Sequence, residues 1–191
     1  MSRDGAGASG ALLVIDMINR LDFPDAGRMA PGAIAAARKI QWLRARFHAR
    51  DWPVIFANDN FADWRCDFRE LVAMVLNTDG PPATIAKLLA PTARDYFVLK
   101  PKHSAFLATP LAVLLAKLGV RRLLVTGMAL ESCVTATAMD ANAREFEVAV
   151  VRDAVAGQPS LRRQALRTLE GSRTARVLGS RGALAWAGAA P

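Results

Sequence analysis

Ala11-Leu12-Leu13-Val14-Ile15 is an unbroken apolar run that stops at a carboxylate, Asp16. The run is too short for a buried helix or a membrane span. With no polar alternation, it reads as a strand that must be covered on both faces. Comparable runs recur at residues 53–57, 96–99, 123–125 and, behind Glu147, 148–151, and Ala175-Arg176-Val177-Leu178 is a candidate sixth, edge strand. Between them the apolar spacing changes to that of helices. Ile34, Ala37, Ile40, Leu43 and Phe47 mark one face over 32–50, and Phe68, Leu71, Val72, Val75 and Leu76 mark another. A short helix over 83–89 follows the turn Asp79-Gly80-Pro81-Pro82. Thr109 and Pro110 start a helix with the stripe Leu111, Leu114, Leu115 and Leu118, which Gly119 closes. Residues 131–144 form the next helix, and Ser160 caps one running to about 170. Strands alternating with helices predict an α/β class: a three-layer α/β/α, doubly wound, mostly parallel sheet of about six strands with right-handed crossovers.

The length of 191 residues predicts one domain over 1–191, with its core at about 11–178 and loose ends at 1–10 and 179–191. The tail is expected either to be loose or to lie across a neighbouring subunit. No apolar run reaches membrane-span length, and residues 1–10 do not resemble a signal peptide, so a cytoplasmic setting and no membrane partner are expected. The net charge of +8 raises the question of nucleic acid. The basic residues are scattered over helix faces and no nucleic-acid motif accompanies them, so none is expected as a partner. The two cysteines, Cys66 and Cys133, form no metal pattern and no CxxC, and neither a disulfide nor a cofactor is expected.

In open parallel sheets ligands bind beyond the carboxyl ends of the strands. Asp16 follows the first strand, Lys100 the third, and Cys133 lies just past the fourth, behind Gly127 and at the first turn of the expected helix. Each has a plain alternative: a helix cap, a solvated strand end, a small buried hydrophobe. Together they make coherent chemistry. A free thiol ionises at about pH 8.5. A helix start and a nearby ammonium both favour the anion, so a resting thiolate at Cys133 is expected. A carboxylate within reach takes the thiol proton and later returns it to a leaving amine, so neither of the two histidines, His48 and His103, is required.

Three segments carry a family resemblance. Leu13-Val14-Ile15-Asp16-Met17-Ile18-Asn19 resembles the opening strand of the isochorismatase-like cysteine hydrolases. Lys100-Pro101-Lys102-His103-Ser104-Ala105-Phe106, with Thr109-Pro110-Leu111, resembles their lysine segment. Gly127-Met128-Ala129-Leu130-Glu131-Ser132-Cys133-Val134, with Thr137-Ala138-Met139-Asp140-Ala141, resembles their nucleophile segment. Asp153-Ala154-Val155-Ala156 matches the stretch after the next strand, and the likeness runs over about 12–171. The resemblance implies a catalytic triad of Asp16, Lys100 and Cys133. It also implies a C–N hydrolase of small amides, ureas or carbamoyl compounds working through a thioester. A non-proline cis peptide between Met128 and Ala129 is implied as well, with an oxyanion hole from the backbone N–H groups of Ala129 and Cys133. Relatives of this kind assemble, so a homodimer or homotetramer acting on a small-molecule substrate is expected by analogy.

Departures from the family pattern bear on the substrate. Ile18 replaces a usual glutamine, and Leu130 stands where threonine is common. Asp59 has no histidine after it, so the metal-bound pyridine pocket of nicotinamidases is not expected. Candidate pocket residues are Asn19, Phe23, Asn58, Phe61, Trp64 and Leu130. Phe23, Phe61 and Trp64 either line an apolar pocket or pack in the core. Asn19 either orients Asp16 or caps a turn. Arg65 reads as a surface residue, His103 as structural, and Glu131 as favouring the helix start. The alternatives to an amidohydrolase are a catalytically silent small-molecule-binding protein on the same fold, an isochorismatase-type hydrolase, and a redox role needing Cys66 as partner.

Overall fold

The computed structural model describes residues 10–61 and 63–189. Strand β1 is Gly10–Ile15, helix α1 Ala26–His48 and strand β2 Val54–Asp59. Helices α2, Phe68–Leu76, and α3, Pro81–Leu89, precede β3, Tyr96–Lys100. Helix α4 is Leu111–Lys117 and β4 is Arg122–Gly127; a π-helical turn, Leu130–Val134, leads into α5, Thr135–Ala143. Strand β5 is Glu147–Val155, α6 is Pro159–Gly171, β6 is Arg176–Leu178 and α7 is Ser180–Ala187.

The strands form one six-stranded sheet in the order β3-β2-β1-β4-β5-β6, every pairing parallel. The chain winds outward from β1 through β2 to β3, then returns to the other side of β1 with β4. The strand order therefore reverses between β1 and β4, where open α/β sheets place their ligand crevice.

The unbroken apolar strands are covered on both faces. Leu12, Val14, Val54, Phe56 and Leu124 face a layer of α1, α2, α3 and α7, with Ala33, Ala37, Ile40, Leu43, Ile85 and Leu89 in the contact. Leu13, Ile15, Ile55, Leu123 and Val125 face the opposite layer, with Leu111, Leu115, Val134, Ala138, Ala141 and Leu169. Each such valine, leucine, isoleucine or phenylalanine side chain, when fully buried, contributes roughly 1.5–3 kcal/mol. One consequence is that the strand ends at the switch point are held by a core on either side.

Several boundaries differ from the sequence reading. Helix α1 starts at Ala26, not at 32, because Met29, Ala30 and Ala33 are buried against the sheet despite Pro31 inside the helix. Helix α6 starts at Pro159 with Gln158 at its cap, so Ser160 does not cap it. Most of the expected loose N-terminal end, residues 1–9, lies outside the described residues. The expected loose tail is corrected: Ser180–Ala187 is a helix with Ala183 and Ala187 fully buried. It is tied down by the Arg122 guanidinium, which donates to the Trp186 and Ala189 carbonyls, and by Asp153, which accepts from the Ser180 N–H at 2.8 Å. Among the described residues no helix is long and apolar enough to cross a membrane.

Candidate active site

Gly127 brings the two sides of the switch point together. It pairs with Ile15 at φ +106°, and a Cβ there would lie 2.0 Å from the Ile15 carbonyl oxygen. Only glycine permits this approach. The Met128 N–H donates to the same carbonyl at 2.9 Å, so the chain leaving β4 is fastened beside Asp16. The Met128–Ala129 peptide is cis. Beyond it the Val134 N–H reaches the Ala129 carbonyl at 3.1 Å, the wide spacing of a π turn. Cys133 lies in that turn rather than in the first turn of an α-helix, which corrects the sequence expectation.

Asp16 is 5 % exposed and sits at φ +50°, a backbone region that non-glycine residues enter rarely and that recurs at functional sites. Its Oδ1 accepts from the Asp59 N–H at 2.7 Å and its Oδ2 from the Lys100 ammonium at 2.8 Å. Lys100 ends β3, two strands away, and its fully buried side chain spans the gap. Its Nζ also donates to the Lys102 carbonyl at 3.0 Å, lies 3.6 Å from Cys133 Sγ and 3.7 Å from Asp59 Oδ2. Asp59 in turn accepts from the Phe61 N–H at 2.7 Å. The fold thus brings Asp16, Lys100 and Cys133 to one point, with the Lys100 ammonium 2.8 Å from the carboxylate and 3.6 Å from the sulfur.

The electrostatics overturn the expected resting thiolate. Burial pushes the Cys133 thiol up, and the adjacent Asp16 carboxylate pushes it further, to about 11. Lys100 and Ser132 pull the other way and do not prevail. The cation lies nearer to Asp16 than to the sulfur, so most of its field is spent on the carboxylate. For Lys100, burial alone would lower the ammonium's pKa, but Asp16, Cys133 and Asp59 together hold it above its ordinary value. Burial likewise holds the Asp16 carboxyl above its usual range despite Lys100. The resting arrangement is a neutral thiol beside a buried ion pair.

The candidate pocket residues separate. Asn58 is fully buried and its side chain is consumed by backbone: it accepts from the Ile18 N–H at 3.1 Å and donates to the carbonyls of Ile18 at 2.9 Å and Asp59 at 3.2 Å. It fixes the loop after Asp16 and lines no pocket. Asn19 accepts from the Leu21 N–H at 2.7 Å, a turn cap. Leu130 is fully buried among Ile15, Val134 and Val155, a core residue rather than a pocket wall. Phe23 is half-buried, while Phe61 is 41 % and Trp64 78 % exposed, so core packing does not describe these last two. Arg65 is at the surface, as the sequence suggests. Glu131 ties the π turn to the loop after β5 by accepting from the Gln158 N–H at 3.1 Å.

Two further side chains lie at the sulfur: His103, which the sequence reads as structural, and Ser132, to which it gives no role. His103 Nδ1 lies 3.8 Å from Cys133 Sγ and 3.2 Å from Ser132 Oγ, and Ser132 Oγ lies 3.9 Å from the sulfur. Their signal was position: His103 follows Lys100 in the same loop and Ser132 precedes Cys133. Asp59, read only as part of an incomplete metal motif, is the backbone donor that holds Asp16.

Comparison with known proteins agrees with this geometry. A family model described as the isochorismatase domain matches residues 10–181. The isochorismatase family protein YaaI of Bacillus subtilis is 36 % identical over 149 residues, covering 78 % of this chain and 81 % of its own length. Maleamate amidohydrolase of Pseudomonas putida is 34 % identical over 166 residues, covering 83 % and 77 %. The crystal structure of an isochorismatase family protein from Desulfovibrio vulgaris superposes with a TM-score of 0.73 at 26 % identity, covering 92 % of this chain and 96 % of that one.

Proposed function

The chain belongs to the isochorismatase family and is a hydrolase of C–N bonds, and from that premise we propose that it is a metal-independent cysteine amidohydrolase. Its substrate is a small amide, urea or carbamoyl compound. Cys133 is the nucleophile, Asp16 the acid–base group, and Lys100 the cation that keeps Asp16 charged and positioned. The observation that carries the reading is the arrangement at the sulfur: a thiol pushed up by burial, 3.6 Å from an ammonium that is itself paired to the Asp16 carboxylate at 2.8 Å.

The steps follow from that state. As Sγ approaches the substrate carbonyl, Asp16 takes the thiol proton, so charge appears on sulfur only as the new C–S bond forms. The developing oxyanion is received by the backbone N–H groups of Ala129 and Cys133. Among the described residues the Ala129 N–H meets no acceptor, which suits that role. The tetrahedral intermediate then collapses, the C–N bond breaks, and the amine or ammonia departs with the proton from Asp16. Water cleaves the thioester and restores the thiol.

Maleamate, the substrate in a relative's name, belongs in the first panel of compounds, beside small ureas and carbamoyl acids, with ammonia release as the signal. Release that needs Cys133 supports the reading; equal release by Cys133→Ala contradicts it. The reading also includes a cytoplasmic setting and a homodimer or homotetramer, the latter tested by light scattering on the purified protein.

A further inference from the structure

We propose that Thr137 and Asp140 are positioning residues of this site: they hold the loop after β3 so that its Lys102 carbonyl keeps the Lys100 ammonium within reach of the Cys133 sulfur. The inference rests on the cysteine-hydrolase reading above. Residues 101–110 contain no helix or strand, so no regular backbone ladder fixes them. Yet this loop supplies the Lys102 carbonyl, which accepts from Lys100 Nζ at 3.0 Å, and places His103 beside the sulfur. Its position is set by what it is tied to, and two hydrogen bonds tie it to α5.

Thr137 and Asp140 follow Cys133 by four and seven residues, the spacing of one helix face. Thr137 is fully buried, and its Oγ1 accepts from the Ala105 N–H at 3.0 Å. Asp140 Oδ2 accepts from the hydroxyl of Ser104, a residue 8 % exposed, while that hydroxyl accepts from the Phe106 N–H at 3.2 Å. The other Asp140 oxygen accepts from Arg144 at 3.0 Å, and the Arg144 guanidinium lies over the Phe106 ring, 5.0 Å from its centre. The helix that leaves the turn of Cys133 thus grips Ser104, Ala105 and Phe106, directly behind the carbonyl that anchors the cation.

The anchor matters because the ammonium is contested. Around Nζ stand Asp16 at 2.8 Å, the Lys102 carbonyl at 3.0 Å, Cys133 Sγ at 3.6 Å and Asp59 at 3.7 Å. If the loop shifts and the Lys102 carbonyl withdraws, two carboxylates and a neutral thiol remain, and the ammonium settles on the carboxylates. The sulfur then loses the cation that pulls its thiol down against burial and Asp16. A misplacement of about 1 Å, caused by a change outside the chemistry, costs up to about a hundredfold in rate.

The test uses variants that alter no charge. Thr137→Val keeps the shape of the buried side chain and removes the acceptor, Thr137→Ser keeps the acceptor, and Ser104→Ala breaks the tie to Asp140 from the loop side. At one mildly alkaline pH, below the midpoint near 11, iodoacetamide labels Cys133 in proportion to its thiolate fraction. Labelling located by peptide mapping should slow about fivefold in Thr137→Val and in Ser104→Ala, and hold the wild-type rate in Thr137→Ser. Packing damage alone would loosen the site and speed labelling. For p-nitrophenyl acetate, kcat should fall about tenfold or more with KM little changed. Unchanged or faster labelling in whichever of Thr137→Val and Ser104→Ala melts as a folded protein, or slowing shared by Thr137→Ser, overturns the positioning role and leaves the cysteine reading standing. If Cys133→Ala releases p-nitrophenolate as fast as the wild type, the cysteine reading itself falls, and the role of the two residues with it.

Discussion

The Asp16 carboxylate accepts from the Lys100 ammonium at 2.8 Å. The cation of the site lies nearer to that carboxylate than to the Cys133 sulfur, 3.6 Å away, while burial and Asp16 push the Cys133 thiol up. The site resembles a proton-transfer pair more than a preformed thiolate, and the consequences are measurable.

Asp16→Asn should separate ionisation from activity. The Asp16 charge and its hydrogen bond both raise the Cys133 pKa. Removing the charge should let the thiol ionise at lower pH, so iodoacetamide labels Cys133 faster at mildly alkaline pH than it does in the wild type. Hydrolysis should nonetheless drop by about 100-fold or more, because the proton acceptor is gone. Labelling that slows in the variant would contradict the assignment.

Lys100→Met leaves a buried carboxylate without its partner. Asp16 should become harder to ionise, since Lys100 is the main influence opposing burial. The acid limb of the rate profile should move to higher pH and the rate should fall. Comparison of kcat with KM across pH checks this: a change confined to KM would assign Lys100 to substrate binding alone.

Asn58→Ala should damage the site without touching substrate. Its three bonds to backbone groups at 2.9–3.2 Å fix the loop behind Asp16. Leaving the Ile18 N–H and carbonyl unpaired costs about 2–3 kcal/mol of stability. Denaturant unfolding measures that loss, and unchanged stability would show that water replaces the amide.

A distant cluster governs acid stability. Asp95, with a side chain only 1 % exposed, accepts from Arg44 Nε at 3.0 Å and the Thr92 N–H at 2.7 Å, and lies 2.9 Å from His48 Nε2. Burial alone would raise its carboxyl, but Arg44 and Thr92 hold it below the usual carboxylate range. A depressed folded-state pKa means the stabilisation is present above the unfolded value, near pH 3.8, and is lost as pH falls through the folded value. Asp95→Ala should cost about 3–5 kcal/mol at neutral pH, by stranding Arg44. The gap to the wild type should close in strong acid, as thermal melts across pH will show.

The sheet and its two helical layers were legible because burial on both faces writes unbroken apolar strands, such as residues 11–15 and 123–125. The convergence of Asp16, Lys100 and Cys133 was legible because strand ends in a parallel sheet share one edge. Helix α7 was not, since its contact is made by small residues, Ala183 and Ala187, that carry little periodic signal. Nor was the protonation state of Cys133, which depends on whether Lys100 lies nearer to the sulfur or to Asp16. Asn58 and Leu130 fall within chemistry-bearing segments, yet their side chains turn inward, and only packing reveals it.

The most direct measurement is the ionisation of Cys133 itself, followed by alkylation rate against pH with peptide mapping to separate it from Cys66. A midpoint near 11, falling in Asp16→Asn while that variant loses hydrolysis, is the result expected from a thiol activated by its neighbouring carboxylate. A cysteine already ionised at neutral pH in the wild type, and unaffected by the asparagine, would contradict it.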